Sequence, residues 1–287
     1  MVRGVVAFCP GHISGYFKRV IGPDAATTGS IGAGIVITEG VLVRVTLSKH
    51  ISVRICRKER SAALSVVAHE SPPLTYAMNR LSINASVTTE CHLPIGAGFG
   101  LSAAALLATL TALDTLFELG MSEEEIARTA HETELIHHTG LGDVAACRGG
   151  GFVVRTHAGI TAPVHRYFNL PGPIYAVSFG PIHTPSVLEA DERMEQVASA
   201  FPDTEPENIQ DFFHTSRAFA QRSGLLIPQI RAVLDRCDEL NIPASMTMLG
   251  NGVFAYGKEA EGVLSRFGLT YAMGVAVKGP QVVKVIP

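Results

Sequence analysis

The sequence predicts an α+β protein in two parts, and three observations predict it. Runs rich in valine and isoleucine cluster in two separate regions, residues 2–67 and 174–277, with helical spacing interleaved. The chain has 287 residues, more than one domain usually holds. Hydrophobic residues make up 47% against 17% charged, which excludes a disordered chain and supplies a full core. No repeat or low-complexity linker divides the chain, and the expected parts are 1–160 and 161–287.

The elements follow in order. Val2–Phe8 reads as a first strand ending at Pro10-Gly11, too short for a signal peptide. Gly34–Thr38, Val41–Leu47, Ser52–Cys56 and Ser61–Val67 read as further strands. Leu101–Leu119 has helical spacing, with Leu106, Leu110, Leu113 and Phe117 on one face. Ser122 followed by Glu125 is a capping-box pattern that starts a second helix running to about His138. Gly149-Gly150-Gly151 leads into a strand at Phe152–Thr156. The second half reads as a strand at Ile174–Phe179, then helices through Leu240. Strands at Ala244–Leu249, Val253–Tyr256 and Tyr271–Val277 follow, with a helix near Glu259–Phe267.

The strongest local signal is Pro94-Ile95-Gly96-Ala97-Gly98-Phe99-Gly100-Leu101-Ser102-Ala103. Alternating glycines permit positive φ and close ligand approach. The helix that follows aims unpaired N–H groups and a positive dipole end at the loop, a setting suited to phosphate. The segment lacks the Gly-Lys-Ser/Thr ending of a P-loop and the third glycine of a dinucleotide fingerprint. Taken alone it reads equally as a glycine turn before a buried helix. Ser102 either caps that helix or ligates a hard cation. The 21 uncharged residues from Leu93 to Leu113 approach the length of a membrane span, but the proline and three glycines in the first third favour loop plus buried helix.

The second cluster is His131-Glu132-Thr133-Glu134-Leu135-Ile136-His137-His138-Thr139-Gly140-Leu141-Gly142-Asp143. HExxH spacing is absent, because the position four after His131 is Leu135. Glu134 shares a helical face with Ala127, Ala130 and His137, so it is either paired in the core or a ligand. Asp143 follows a glycine-broken turn and is either a cap or a functional acid. In the functional reading, Glu134 and Ser102 hold Mg²⁺ against nucleotide phosphates, and Asp143 orients an alcohol or takes its proton.

These pieces, with Cys9-Pro10-Gly11-His12-Ile13-Ser14-Gly15 and Met248-Leu249-Gly250-Asn251-Gly252, resemble in order the three motifs of the GHMP kinase superfamily. The resemblance covers essentially the whole chain. It implies an N-terminal domain similar to the second domain of ribosomal protein S5 and a ferredoxin-like C-terminal domain, with ATP and substrate in the cleft between them. Residues 94–103 would cradle the phosphates, Glu134 and Ser102 the magnesium, and Asp143 would be catalytic. Gly250 and Asn251 would lie near the substrate. Thr28–Gly34 and Ala244–Gly250 strengthen the likeness and resemble the archaeal pantoate kinases. That likeness implies phosphorylation of the 4-hydroxyl of (R)-pantoate for coenzyme A synthesis, by a homodimer. Other alcohol kinases, acting on homoserine, shikimate or a mevalonate derivative, are the alternatives, as is a homologue that binds nucleotide without turnover.

The chain departs from the family pattern at three positions. His12 stands where mevalonate-type members have lysine, and is expected to act beside Asp143 as a donor or on the substrate. Leu101 replaces the first of two serines. Ile31 stands where pantoate kinases are expected to have arginine, leaving Arg19, Arg44 and Arg80 as candidates for the substrate carboxylate. Ser14 and Ser30 are expected at the substrate site, or else make ordinary loop hydrogen bonds.

A net charge of −3 gives no electrostatic footprint for nucleic acid or an anionic membrane. The five cysteines are odd in number and none lie close in sequence, which excludes a CxxC motif, argues against a disulfide framework and points to a cytoplasmic protein.

Overall fold

The structure is a computed structural model and describes residues 2–58, 63–170 and 172–287. Ser61 and Ala62, which open the expected strand at Ser61–Val67, lie outside the described residues. The chain begins with two long strands, β1 (Gly4–Val20) and β2 (Gly29–Leu47), paired antiparallel throughout. The sequence stops the first strand at Pro10 and splits the second at Gly40. The structure runs through both breaks, which pair with each other (Pro10 with Gly40) at the register shift Pro10/Gly11; a second shift follows at Ser14/Tyr16. Proline has no N–H for the ladder, and a bulge accommodates that loss. His12 lies between the two shifts.

Next come β3 (Ser52–Lys58), β4 (Leu64–Ala68), α1 (Pro72–Arg80), β5 (Ala85–Cys91), α2 (Leu101–Phe117), α3 (Glu123–His137), α4 (Asp143–Cys147), β6 (Phe152–Arg155) and β7 (His165–Tyr167). The later elements are β8 (Ile174–Ser178), α5 (Thr184–Leu188), α6 (Asp191–Ser199), α7 (Ile209–Arg222), α8 (Pro228–Glu239), β9 (Ala244–Met246), β10 (Gly252–Tyr256), α9 (Glu259–Leu264), β11 (Thr270–Met273) and β12 (Gln281–Ile286). Elements α1, β5, α4, β7 and β12 are not anticipated from the sequence, although β5 alternates strictly between buried and half-buried positions.

The strands form two sheets. The larger has the order β12-β1-β2-β5-β3-β4, with β6 on the first half of β2 and β7 on β6. The smaller has the order β11-β8-β10-β9, all antiparallel. A division at residue 160 assigns β7 and β12 to the second part, whereas their hydrogen bonds to β6 and β1 put them in the first sheet.

Helix α2 is apolar all round and eleven of its residues are buried, as expected of a helix packed on both sides. It lies on β1 and β2, with α3 against it. Ser122 and Glu125 form the expected capping box on α3. On α7, Phe212 packs edge-on to Phe152 of β6 at 5.1 Å and near Phe254 of β10 at 6.0 Å, so one aromatic cluster joins the two sheets. The amide of Met248 also donates to the Ser14 carbonyl at 3.2 Å, and that of Ile182 to the Gly96 carbonyl at 2.9 Å. These contacts fix the walls of the cleft. No helix among the described residues is long and apolar enough to cross a membrane.

Candidate active site

A cavity of about 840 Å³ opens where the start of α2, the α3–α4 turn and the segment after β8 converge. Its phosphate-like end is one continuous piece of chain. Gly96, Gly98 and Gly100 have φ of 74°, 81° and 61°, a region that β-carbons disfavour. Gly100 is the N-cap of α2 and provides no side-chain cap, so the first-turn N–H groups are left for a ligand. Pro94, Gly96, Gly98, Phe99, Gly100, Leu101 and Ser102 line the cavity. Ala97 and Ala103 are buried behind it and pack the loop onto its support.

Glu134 enters the cavity from α3 and is 2% exposed, on the face it shares with Ala127 and Ala130. Thr139 Oγ1 donates to its carboxylate at 3.3 Å, and Ser102 lines the same cavity. Burial, reinforced by the nearby Asp143 charge, pushes the Glu134 carboxyl up to about 8. Asp143 is the first residue of α4 and keeps 27% of its side chain exposed. Burial raises its carboxyl too, but the hydrogen bond from His12, with the Arg155 charge, more than reverses that and holds it below the usual carboxylate range. Two neighbouring acids are thus driven apart, one toward its neutral form and one toward its anion.

His12 makes the shortest polar contact in the site, Nδ1 to Asp143 Oδ1 at 2.7 Å. Burial holds its imidazole below the usual range, against the pull of Asp143. The geometry is that of a neutral ring donating Nδ1–H to a carboxylate. His12 is fully buried, has Nε2 without a partner and does not line the cavity. The expectation that His12 touches substrate is therefore corrected: Gly34 packs against the ring, and His12 reaches the cavity only through Asp143.

The opposite end of the cavity is assembled from distant segments. Ser14 and Phe17 come from β1, Ser30 from β2, Leu141 and Gly142 from the turn before α4, and Arg155 from β6. Arg155 is 4% exposed; its Nη1 donates to Ser30 Oγ at 3.3 Å, and its Nε has no partner. A Cβ on Gly142 would overlap the guanidinium, so the glycine makes room for it. The sequence reading misses Arg155. The available signal is an arginine in a four-residue strand whose other members are all apolar and buried. The three arginines proposed instead are engaged elsewhere or exposed. Arg19 bonds the Leu188 carbonyl and Asp191, Arg80 pairs with Glu132, and Arg44 points to solvent.

Gly250 and Asn251 are not in the wall. Gly250 lies against Ala97, where a Cβ would collide with the loop backbone, and Asn251 donates to the Pro181 carbonyl at 3.3 Å. Gly250 thus braces the phosphate-like loop from behind, and Asn251 holds the segment after β8; neither lines the cavity.

The oxygen donors Glu134 and Ser102 suit a hard cation such as Mg²⁺. Among the described residues no three His, Cys, Asp or Glu side chains gather as a metal cage.

The model of the GHMP kinases N-terminal domain matches residues 62–151. The pantoate kinase of Methanospirillum hungatei is 48% identical, covering 97% of this chain and 96% of that protein. The pantoate kinase of Thermococcus kodakarensis is 30% identical over 89% of this chain and 88% of its own length. A solved structure described as a phosphotransferase related to the coenzyme A biosynthesis pathway superposes with a TM-score of 0.78 at 25% identity, covering 97% and 98% of the two chains. With a relative of that identity spanning nearly both full lengths, the chain belongs to the pantoate kinase family of the GHMP kinases.

Proposed function

We propose that the protein transfers the γ-phosphoryl group of ATP to the 4-hydroxyl of (R)-pantoate, giving 4-phosphopantoate for coenzyme A synthesis. The observation that carries this reading is Arg155, a buried cation with an unpartnered donor, in the cavity that also holds Asp143 and the open start of α2. A buried guanidinium calls for an anion, and a hydroxy acid provides one at the end remote from its hydroxyl. Phe17 and Leu141 line the same cavity and suit the gem-dimethyl carbons. The carboxylates of that wall are Glu134, Asp143 and the exposed Glu70, so among the described residues no further buried acid awaits the ammonium of homoserine.

The amides of Gly98–Ser102 bind the phosphates at the helix start. Arg155 and Ser30 hold the substrate carboxylate and present the 4-hydroxyl to Asp143. His12 positions Asp143 and keeps it anionic. Asp143 accepts the hydroxyl proton as the oxygen bonds to the γ-phosphorus and the bridging P–O bond breaks, releasing ADP. Glu134 and Ser102 would hold magnesium, which supplies charge neutralisation at the phosphates. Family resemblance adds a cytoplasmic homodimer to this reading.

The test is a coupled ADP-release assay with (R)-pantoate, homoserine, shikimate and mevalonate. Turnover of pantoate is expected with kcat/KM at least about tenfold above that of any other acceptor. Comparable turnover of homoserine, shikimate or mevalonate overturns the pantoate reading. ATP binding with no turnover on any of the four favours the inactive homologue.

A further inference from the structure

Helix α4, which carries Asp143, has only five residues. A helix this short does not hold itself in place. Its N-terminal end is tied by the His12–Asp143 hydrogen bond. Its last carbonyls have few partners within the helix, and their partner comes from outside. Arg166 on β7 donates from Nη2 to the Ala145 carbonyl at 2.7 Å, and from Nη1 to the carbonyls of Ala146 at 2.9 Å and Gly150 at 2.8 Å. A cation at this end also matches the helix dipole.

In the Gly149-Gly150-Gly151 run, Gly149 and the Gly150 carbonyl form the seat of this guanidinium. A Cβ at Gly149 would stand 2.9 Å from both Cζ and Nε of Arg166. Gly149 does not have positive φ, so its missing side chain provides room, not backbone freedom. Arg166 is not in the cavity wall, and the hydrogen bonds it makes all go to the main chain of the Asp143 segment and the turn after it.

We propose that Arg166 is a positioning residue for phosphoryl transfer: it clamps the C-terminal end of α4 and so fixes the Asp143 carboxylate against the acceptor hydroxyl. This rests on the reading that Asp143 faces the acceptor. Small displacements of a reacting group are costly, of order 100-fold per ångström, so a clamp outside the cavity acts on kcat and leaves substrate binding alone.

The experiment compares Arg166→Met, Arg166→Lys, Gly149→Ala, the Arg166→Met/Gly149→Ala double variant and Asp143→Ala in the full chain. Steady-state kinetics are measured with ATP and pantoate, and kcat is expressed per ATP-binding site from calorimetric stoichiometry, so an unfolded fraction does not count as a loss. Arg166→Met is expected to lower kcat about 10- to 100-fold, with both KM values within about twofold. Arg166→Lys should recover part of the loss, because an ammonium reaches some of the three carbonyls. Gly149→Ala should lower kcat less, and should add nothing in the Arg166→Met background, where its Cβ has no guanidinium to displace. An unchanged kcat per site, a loss confined to KM, or additive effects of the two substitutions overturns the proposal. If Arg166→Met does not fold, Arg166→Lys and Gly149→Ala decide it, since both keep the cation on β7. Asp143→Ala separates the two readings. If it keeps its kcat, the assignment of Asp143 fails; if it loses kcat while the Arg166 and Gly149 variants do not, only the clamp fails.

Discussion

The two ends of the cavity are built in opposite ways. The phosphate-like end is a single segment, residues 94–102, whose ligand groups are main-chain amides at a helix start. The acceptor end draws on β1, β2, the turn before α4 and β6, and its ligand groups are buried side chains held by one another. A main-chain site depends on local conformation, so glycines preserve it and no one side chain is decisive. A side-chain site depends on register and burial, so a single substitution empties it.

That contrast is testable first at Arg155. Arg155→Met keeps much of the apolar stem and removes the charge. Losing a charged hydrogen bond of this kind is worth roughly 10- to 100-fold in kcat/KM for pantoate, while the KM for ATP should stay near the parental value. Steady-state titration of each substrate in turn checks this. An equal loss for both substrates would mean that the two ends are not separate.

A smaller effect is expected at Glu134, where the ends meet. In the ligand-free protein its carboxyl is pushed up to about 8 by burial and the Asp143 charge, against 4.5 when unfolded. The folded state then retains a proton that the unfolded chain releases, so this group makes stability fall as pH rises from about 4.5 to 8. Glu134→Gln removes that slope. Its Tm should exceed that of the parent at pH 8 and lie close to it at pH 5, by scanning calorimetry without nucleotide. Parallel Tm curves across the range would show that Glu134 is ionised in the folded protein.

The same contrast explains what the sequence reveals. The glycine loop, Glu134 and Asp143 can be picked out because each lies in a contiguous motif that carries the family resemblance, and the structure brings them to one cavity. The helix face of Glu134 with Ala127 and Ala130 follows from the 3/4 spacing and is buried as that spacing predicts. Arg155 is not legible, because its partners Ser30, Gly142 and Asp143 are brought to it by strand pairing and by the turn into α4. Nothing in Phe152-Val153-Val154-Arg155 alone separates a buried ligand from a strand-end surface arginine. His12 lies between: the motif marks its position, and only the bulged pairing of β1 shows the ring sealed away from the cavity and turned to Asp143. Strand β12 escapes notice for a further reason. Its six residues are mostly exposed on both faces and show no alternation, so only their pairing with β1 defines the strand.

A crystal structure with a non-hydrolysable ATP analogue, magnesium and (R)-pantoate bound together brings both ends into one view. It should show the terminal phosphate at the amides of Gly98–Ser102, the pantoate carboxylate on Arg155, and the 4-hydroxyl within hydrogen-bonding reach of Asp143. Pantoate bound with its carboxylate away from Arg155, or a nucleotide whose phosphates lie off the α2 start, would contradict the account.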